Sequence, residues 1–576
     1  MPLAPRNRFI WLARNDLRVH DNPCLSKIAQ RCGATANAEV LPLYLFDPRH
    51  FGTTARGSPK TGSYRTRFLL ESVVDLRAQL RALGSDLLVG VGRPEDVLPT
   101  LVIPARDGEG AATGATTTIL WQEQVTSEEL EVDAAIRSAL PAGAATCEPV
   151  WGGTLYEKKD LPFAADLADL PDVFTPFRNK AENKATVRAP LRAPAAASLP
   201  LPAAEALALP AGGRLGYDVL PEAAEVGLAS PAAFGAAPDP RGVMPFPGGE
   251  AAALARLKHY LWDGDHLGTY FETRNGMLGA DYSSKLAPWL AHGCISPRLI
   301  AAECGRYERE RIKNKSTYWL VFELIWRDFF KLYCAKHGTS VFKAGGPIGS
   351  KQGWRKDPIL LQRWKEGTTG VPLVDANMRE LAATGFMSNR GRQNVASYLA
   401  LDLQLDWRDG ADHFESLLLD YDVCSNWGNW AAAAGMTGGR VNRFNLVKQS
   451  KDYDADGAYV RHWLPELANV PTEKVHEPWK MSKDEMERSG CRVGAYGDAS
   501  CDYPTPPKSH FVYGEKGGGG GGGGGRGGGR GRGGGGRSVA ATPAQAAIMN
   551  RGKGGGGRSG GRGGGRKRVQ MDYMMD

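Results

Sequence analysis

One segment of the sequence combines a carboxylate, a guanidinium and an indole at helical spacing. Apolar residues recur every three to four positions from 321 to 336, which predicts a helix. On this helix Glu323 and Arg327 are four residues apart and share a face, and Trp326 lies beside them. The group could hold a polar ligand against an aromatic surface, and a surface ion pair over a core helix is the simpler alternative.

A second group of charged residues follows later in the chain. Arg390, Arg392 and Gln393 fall near the start of a predicted helix, where their N–H donors could bind phosphates or a polar ring. The carboxylates of Asp420 and Asp422 could hold one of these arginines. A purely structural ion pair would show the same pattern, so the residues alone leave this choice open.

Composition and cysteine spacing exclude several classes of protein. The nine Cys residues are odd in number and form no C-x-x-C pair, which argues for an intracellular, reducing compartment and against a disulfide framework. The same spacing argues against a zinc site, and the sequence predicts no metal site. No run of about 18 uncharged apolar residues occurs, so no membrane span is predicted. An apolar signal-peptide core is also missing, and nucleus, cytoplasm, chloroplast and mitochondrion all stay open.

The elements that must position these residues divide the chain into five regions. Residues 6–150 alternate between strands and helices, which predicts an α/β, Rossmann-like domain with a parallel sheet. The predicted strands are 8–14, 40–46, 86–91 and 117–121, and the predicted helices are 64–83, 94–101 and 127–140. No G-x-G-x-x-G follows the first strand. The later regions are an Ala/Pro-rich connector, an all-helical domain, a loosely attached extension and a tail (151–247, 248–468, 469–516 and 517–576).

The tail carries almost all of the net charge. Residues 517–576 hold 11 Lys or Arg and 2 Asp or Glu, a net of +9, so the rest of the chain has a net charge of −1. Its Gly/Arg composition cannot bury enough apolar surface to fold. Arginines in such a tail can contact phosphates and stack on unpaired bases, so RNA is a possible partner, and a solvated charged tail is the alternative.

Many motifs in the right order resemble the photolyase/cryptochrome flavoprotein family. WLARNDLRVHDN at 11–22, DYSSKLAPWL at 281–290 and GCISPR at 293–298 are shared with the family as a whole. The cryptochrome-DASH subfamily is indicated by further motifs: WGGTLY at 151–156, LPF at 161–163, NRGRQN at 389–394, CSNWGNW at 424–430, KDYD at 451–454 and WLPEL at 463–467. The resemblance covers roughly residues 8–480 and leaves out the tail.

The resemblance implies FAD, held in a bent shape by the helical domain. It places Glu323 and Arg327 on the flavin or substrate side, and an Arg392–Asp420 ion pair beside the flavin ring. Asp422 is expected near the polar edge or ribose, and the Asn426 amide is expected to face flavin N5. Five residues are expected near the flavin phosphates: Tyr270, Ser283, Ser284, Lys285 and Leu286.

The resemblance also implies an electron-transfer chain and a DNA site. The chain would run from Trp430 near the flavin through Trp407 to Trp354 at the surface, although core packing accounts for any single Trp. Trp326 is expected to stack on a damaged pyrimidine dimer, and Glu323 to hydrogen-bond to it. Three residues are expected to contact the dimer or its backbone: Asn389, Arg390 and Gln393.

The implied activity is light-driven repair of cyclobutane pyrimidine dimers by a monomeric protein. A blue-light photoreceptor and a nucleic-acid-binding regulator are the alternatives. Two residues depart from the family pattern: Ala287 replaces a Ser in the phosphate loop, and Ala432 replaces an aromatic that helps to hold the dimer. Loss of one stacked base contact, about 1–3 kcal/mol, favours repair of single-stranded over duplex DNA. The expected antenna is 5,10-methenyltetrahydrofolate, in a pocket near residues 124–128, and another antenna, or none, is the alternative.

Overall fold

Six strands near the N-terminus form one sheet in the computed structural model, which describes residues 6–35, 37–104, 114–203, 215–227 and 237–507. The order β5-β4-β1-β2-β3-β6 gives five parallel strands and one antiparallel edge strand, which is a doubly wound arrangement. The strands are β1 Asn7–Ala13, β2 Ala38–Phe46, β3 Leu88–Val91, β4 Thr116–Gln122, β5 Thr146–Val150 and β6 Leu215–Gly216.

Both faces of this sheet are covered, as the predicted α/β domain requires. The central strands β1 and β2 are buried along nearly their whole length because helices pack on each side. The helices of this region are Pro23–Ala34, Ser63–Ala82, Pro94–Leu101 and Ser127–Ala139. Strand β5 was not predicted, since its sequence Thr-Cys-Glu-Pro-Val is polar and contains a proline, which the edge position of the strand tolerates.

The remainder of the described chain is mostly helical, which confirms the second part of the predicted fold. Its central helix, Lys315–His337, starts with an Asn314 capping box and contains the predicted segment 321–336. The other α-helices are Phe174–Lys184, Glu250–Lys258, Tyr270–Thr273, Ala287–Ala291, Pro297–Glu310, Pro358–Glu366, Pro372–Thr384, Asn389–Ser397, Trp407–Leu417, Val423–Ala433, Leu446–Tyr453, Ala458–Trp463 and Lys483–Ser489. None of the helices in the described ranges has the length and apolar character needed to cross a bilayer.

The connector packs against the central helix. Phe174 and Phe177 of the helix Phe174–Lys184 are buried against Phe329. The buried carboxylate of Asp328 accepts hydrogen bonds from two connector amides, at 2.9 Å from Leu155 N and 2.8 Å from Tyr156 N. The connector therefore helps to fix the helix that carries Glu323, Trp326 and Arg327.

The expectation of a loosely attached extension after residue 468 is wrong for the described part. Val470, Val475 and Cys491 are buried in one cluster with Trp463. The Tyr503 hydroxyl donates a 2.5 Å hydrogen bond to the buried Asp375 carboxylate. Met481 and Tyr503 of this otherwise polar segment are buried in the same cluster, which also includes Leu373 of the helical domain. The Gly/Arg tail, 517–576, lies outside the described residues.

Candidate FAD-binding site

Arg392 and Asp420 form the predicted ion pair. Arg392 Nη2 lies 2.8 Å from Asp420 Oδ2, and Arg392 Nε donates to the Met387 carbonyl at 2.9 Å. The Asp420 carboxylate is buried, and its Oδ1 has no hydrogen-bond partner among the described residues. The pair thus offers an unused acceptor beside a fixed guanidinium, which suits a polar heterocycle.

The helix Val423–Ala433 positions both Asp422 and Asn426. Asp422 is its N-cap, and its Oδ1 accepts from Ser425 N at 2.7 Å. One turn later, the buried Asn426 donates from Nδ2 to the Ala411 carbonyl at 3.0 Å. This bond orients the amide and leaves Oδ1 as a neutral acceptor on its other side.

The predicted phosphate loop is held from behind by one arginine. Arg256 donates to the Ser284 carbonyl at 2.9 Å and to the Ser283 carbonyl at 3.0 Å. Ser284, Lys285 and Leu286 are buried, and Lys285 has a left-handed backbone with φ of 54°. Since the carbonyls point to Arg256, the loop has a defined shape before any ligand binds.

Lys285 has a buried amine that forms no ion pair with a carboxylate among the described residues. Its Nζ lies 3.1 Å from the centre of the Tyr282 ring and has no hydrogen-bond partner among the described residues. Burial lowers the pKa of Lys285 to about 6, so the amine is mainly neutral at pH 7. A diphosphate would supply the missing negative charge.

Glu380 faces the same region and was not singled out from the sequence. Its carboxylate is wholly buried and accepts from the Tyr459 hydroxyl at 2.6 Å, and it interacts electrostatically with Lys285 and Arg392. Burial raises the pKa of Glu380 to about 8. Buried polar atoms rarely lack partners, yet five in this region do: Glu380 Oε1, Lys285 Nζ, Tyr282 OH, Asn394 Oδ1 and Asp420 Oδ1. They fit a polar cofactor such as FAD.

Glu323 and Arg327 do not form the surface ion pair that their spacing allows. The Tyr270 hydroxyl donates to Glu323 Oε2, and Arg274 Nη1 lies 3.6 Å from Glu323 Oε1. Burial raises the pKa of Glu323. Arg327 instead donates to the carbonyls of Gly153 at 3.1 Å and Leu290 at 3.2 Å. Tyr270 thus contacts Glu323, and its expected place near the flavin phosphates stays a prediction.

The residues predicted to contact DNA differ in the solvent exposure of their side chains. The half-buried Trp326 ring stacks with one face on Phe174, at a centroid distance of 3.6 Å. Arg390 is buried and donates to Gln393 Oε1 at 2.9 Å and to Asn275 Oδ1 at 3.0 Å. Asn389 is exposed. The internal bonds of Arg390 suit the support of this surface better than direct contact with a phosphate.

The three predicted relay tryptophans are connected through the helix Trp407–Leu417. The buried Trp430 ring packs on Gly410, where a Cβ atom would lie 2.2 Å from it. Gly410 is one turn from Trp407, and the indole nitrogens of Trp407 and Trp354 both donate to the Ala344 carbonyl, at 3.2 and 3.1 Å. Trp430 and Trp407 are buried and Trp354 is half-buried, so the residue predicted at the surface is the most exposed of the three. The relay itself stays a prediction.

Two further indoles adjoin this line and were not singled out. Trp364 lies 6.0 Å from Trp430, and Trp427 lies 5.8 Å from Trp407, both edge to face. Trp427 lies inside the CSNWGNW motif but was not predicted to belong to the relay, and Trp364 lies in none of the motifs quoted above. The sequence alone therefore connects neither indole with this line.

A second polar region lies in the α/β domain near the predicted antenna pocket. Four buried side-chain atoms have no partner among the described residues: Arg14 Nη2, Gln122 Oε1, Gln124 Nε2 and Glu129 Oε2. Burial raises the pKa of Glu129 to about 7. Gln124 lies in the predicted interval and Glu129 directly follows it, whereas Arg14 is distant in sequence and interacts electrostatically with Glu129 through the fold. The donors and acceptors fit a polar heterocycle.

Comparison with known proteins agrees with this geometry. Residues 319–510 match the family model described as the FAD binding domain of DNA photolyase, and residues 9–197 match that of DNA photolyase. The chain is 50% identical to a chloroplastic/mitochondrial cryptochrome DASH of Ostreococcus tauri, over 84% of this chain and 89% of the relative. It is 49% identical to a cryptochrome DASH of Gloeobacter violaceus, over 88% of this chain and 93% of the relative.

Solved structures give the same result. The cryptochrome of Synechocystis sp. superposes with a TM-score of 0.76 at 43% identity, over 88% of this chain and 97% of that one. A class III photolyase from Agrobacterium tumefaciens superposes with a TM-score of 0.67 at 27% identity, over 88% of this chain and 95% of that one. With its fold, its Arg392–Asp420 pair and these relatives, the chain belongs to the FAD-binding photolyase/cryptochrome family, in the cryptochrome DASH group.

Proposed function

We propose that this protein repairs cyclobutane pyrimidine dimers in single-stranded DNA under blue or near-ultraviolet light. The observation that carries the proposal is the Asn426 amide, whose Nδ2 is fixed on the Ala411 carbonyl while Oδ1 stays available. Reduced FAD, when bound, supplies a light-driven electron to the dimer and takes it back after the ring splits. Asn426 can accept a hydrogen bond from flavin N5–H without adding a negative charge there.

Glu323 and Trp326 suit the substrate side of this site. Because burial raises the pKa of Glu323, a larger fraction of this carboxyl carries a proton and can donate to a pyrimidine carbonyl. Trp326 has one face on Phe174, which holds the indole rigid as a platform. A damaged base must leave its stack to reach them, and this costs least in single strands.

Ala432 supports the restriction to single strands. It is half-buried on the helix Val423–Ala433, and its methyl group cannot stack on a flipped base as an aromatic ring does. Without the about 1–3 kcal/mol of one stacked contact, the protein has less binding free energy to offset the opening of a duplex. We expect Ala432→Tyr to raise dimer affinity about tenfold, which corresponds to about 1.4 kcal/mol.

The relay and the antenna complete the proposal. Trp354, Trp407 and Trp430 would carry electrons inward to reduce the flavin before repair. The unpartnered polar atoms around Gln124 would hold methenyltetrahydrofolate as the antenna. The Gly/Arg tail would add sequence-independent affinity for single-stranded nucleic acid, RNA included.

The test is blue-light repair of dimer-containing oligonucleotides after photoreduction, single-stranded and duplex, with a dark control. We expect dimers to disappear in the light from the single strand, with duplex repair weak. Trp430→Phe should slow photoreduction at least tenfold but leave repair by chemically reduced protein intact. Equal repair of both substrates would contradict the role of Ala432.

A blue-light photoreceptor is the second candidate, and Ala432 is the residue that favours it. A complete relay beside a weakened dimer pocket would let the flavin respond to light without a DNA substrate. Photoreduction that depends on Trp430, with no repair of either oligonucleotide, would support this function over repair.

A further inference from the structure

Two histidines and one aspartate converge at the surface beside the phosphate loop. His259 Nε2 lies 3.2 Å from Asp281 Oδ1, and His266 Nε2 lies 3.5 Å from Asp281 Oδ2. All three ligand atoms lie within 4.8 Å of one another, and among the described residues this is the one His/Cys/Asp/Glu group of three or more with such spacing. We propose that His259, His266 and Asp281 bind a divalent transition-metal ion of the Zn²⁺ type.

The distances suit tetrahedral coordination. Zn²⁺ binds imidazole nitrogen and carboxylate oxygen at about 2.0–2.2 Å, which places neighbouring ligand atoms about 3.4 Å apart. The His259 and His266 distances to Asp281 lie close to that value, one through each carboxylate oxygen, and the ligand atoms of the two histidines lie within 4.8 Å of each other. An N,N,O donor set favours Zn²⁺, Ni²⁺ or Cu²⁺ over Mg²⁺ or Ca²⁺, which prefer oxygen ligands. Since His259 is exposed and the other two residues are half-buried, an ion can enter and keep water in its fourth position.

The backbone holds both histidines in place before any ion binds. His259 begins a short π-helical segment, His259–Asp263, and such segments are frequent at functional sites. His266 N donates to the Tyr260 carbonyl at 3.0 Å, and its ring packs on the Tyr260 ring at 5.5 Å. Gly264 makes this ring position possible, because a Cβ atom there would lie 2.3 Å from His266 Nε2.

The turn between the two histidines is fixed as well. Asp265 has a left-handed backbone with φ of 55°, its carboxylate accepts from the Tyr307 hydroxyl at 2.5 Å, and it pairs with Arg311 at 2.6 Å. The ligands therefore need little rearrangement to bind an ion.

Arg256 is the charged neighbour that an ion must accommodate. Its Nη1 lies 2.8 Å from Asp281 Oδ1. Arg256 also donates to three carbonyls of the loop, those of Ala280, Ser283 and Ser284. Because these bonds satisfy the guanidinium, Asp281 can share its oxygens with an ion without leaving Arg256 unbonded. A bound ion would tie the start of the phosphate loop to the π-helical segment.

The test is Zn²⁺ binding to the FAD-loaded full chain, measured by isothermal titration calorimetry. We expect one saturable site that His259→Ala and His266→Ala each weaken at least tenfold and the double variant removes; even loss of a second-shell partner of a metal ligand costs 10–100-fold in affinity. His462→Ala is the matched control, since His462 is an exposed histidine whose Nε2–H donates to the Arg241 carbonyl at 2.9 Å. FAD absorbance and circular dichroism verify that each variant is folded.

X-ray absorption at the zinc edge identifies the ligands directly. Two imidazoles and oxygen ligands would support the site, whereas sulfur ligands would assign the bound zinc to the nine cysteines and overturn it. Unchanged Zn²⁺ stoichiometry and affinity in the double variant would also overturn the proposal, as would Mg²⁺ binding with equal affinity.

Discussion

The helix Pro372–Thr384 carries two wholly buried carboxylates, those of Asp375 and Glu380. Asp375 is fully hydrogen-bonded, whereas Glu380 has one oxygen without a partner among the described residues. Asp375 accepts hydrogen bonds from Thr369 N at 2.7 Å, Thr369 Oγ1 at 2.6 Å, Gly370 N at 2.8 Å and the Tyr503 hydroxyl at 2.5 Å. Glu380 accepts only from the Tyr459 hydroxyl, and its Oε1 has no partner among the described residues. The two carboxylates lie on one helix but face different surroundings.

The difference separates a structural cluster from a binding site. A buried carboxylate that is fully hydrogen-bonded stabilises the fold and needs nothing more. A buried carboxylate with an unused oxygen, next to an amine without an anion, costs free energy unless a ligand completes it. We therefore assign Asp375 to the fold, and we propose that Glu380 and Lys285 belong to the cofactor site. Substitutions around Asp375 should lower the free energy of unfolding and leave FAD affinity unchanged, whereas substitutions around Glu380 and Lys285 should lower FAD affinity.

The largest effect is expected for Asp375→Ala. It leaves four buried donors without their acceptor, and each unsatisfied group costs about 1–3 kcal/mol. The free energy of unfolding should fall by about 3 kcal/mol or more, measured by urea denaturation, while the folded fraction still binds FAD with wild-type affinity. A loss of FAD affinity without loss of stability would remove the distinction between the clusters.

Lys285→Met should act on FAD and spare the fold. The amine is mainly neutral at pH 7 because its pKa is about 6, so binding of a diphosphate should draw a proton onto it. FAD affinity of the wild type should accordingly fall as pH rises above about 6. The variant should bind FAD about 10–100-fold more weakly (about 1.4–2.8 kcal/mol) with a flatter pH profile. Reconstitution of the apoprotein, followed by flavin fluorescence, measures both; identical pH profiles would contradict a role for Lys285.

The fold could be predicted where the pattern is long and regular. The parallel sheet follows from apolar runs that alternate with helical patterns along residues 6–150, and the central helix follows from apolar residues at helical spacing. The short, polar strand β5 and the packing of the segment after Trp463 carry no such period. Tyr503 is a single aromatic in a polar stretch, and only the position of Asp375 in space shows why it is buried.

The site was predictable where a motif surrounds it. Arg392, Asp420 and Asn426 lie in stretches that resemble the family, and the structure forms the expected ion pair. The position of the Asn426 amide at flavin N5 stays a prediction. Glu380 lies on a helix without such a motif and is 95 residues from Lys285, so nothing local connects them. The four-residue spacing also predicted a contact between Glu323 and Arg327. Each side chain instead bonds to residues distant in sequence, Glu323 to Tyr270 and Arg327 to two backbone carbonyls.

Glu380→Gln is expected to change how stability depends on pH. The folded-state pKa of about 8 exceeds the ordinary value of 4.5, so the unfolded chain loses this proton first and stability falls as pH rises from about 4.5 to 8. Lys285 acts oppositely above about pH 6, since its lowered pKa makes the unfolded chain the better proton binder there. The wild-type minus variant difference in the apoprotein isolates Glu380. It should fall by about 3 kcal/mol between pH 5 and 8, because each pH unit in this window is worth about 1.4 kcal/mol. If the difference in unfolding free energy stayed constant over this pH range, the pKa of Glu380 would not be raised in the folded protein, and the prediction would be wrong.

Tyr503→Phe should give the smallest effect and the sharpest separation of the two clusters. It removes one of the four donors to Asp375 while the ring still fills its buried position, so no cavity forms. The remaining three hydrogen bonds keep the carboxylate satisfied, and the loss should be about 1 kcal/mol of unfolding free energy. FAD affinity and its pH profile should not change, because Tyr503 contacts Asp375 and not Glu380. Tyr459→Phe is the matched variant on the other carboxylate: it leaves Glu380 without any hydrogen bond, so it should weaken FAD binding as well as the fold.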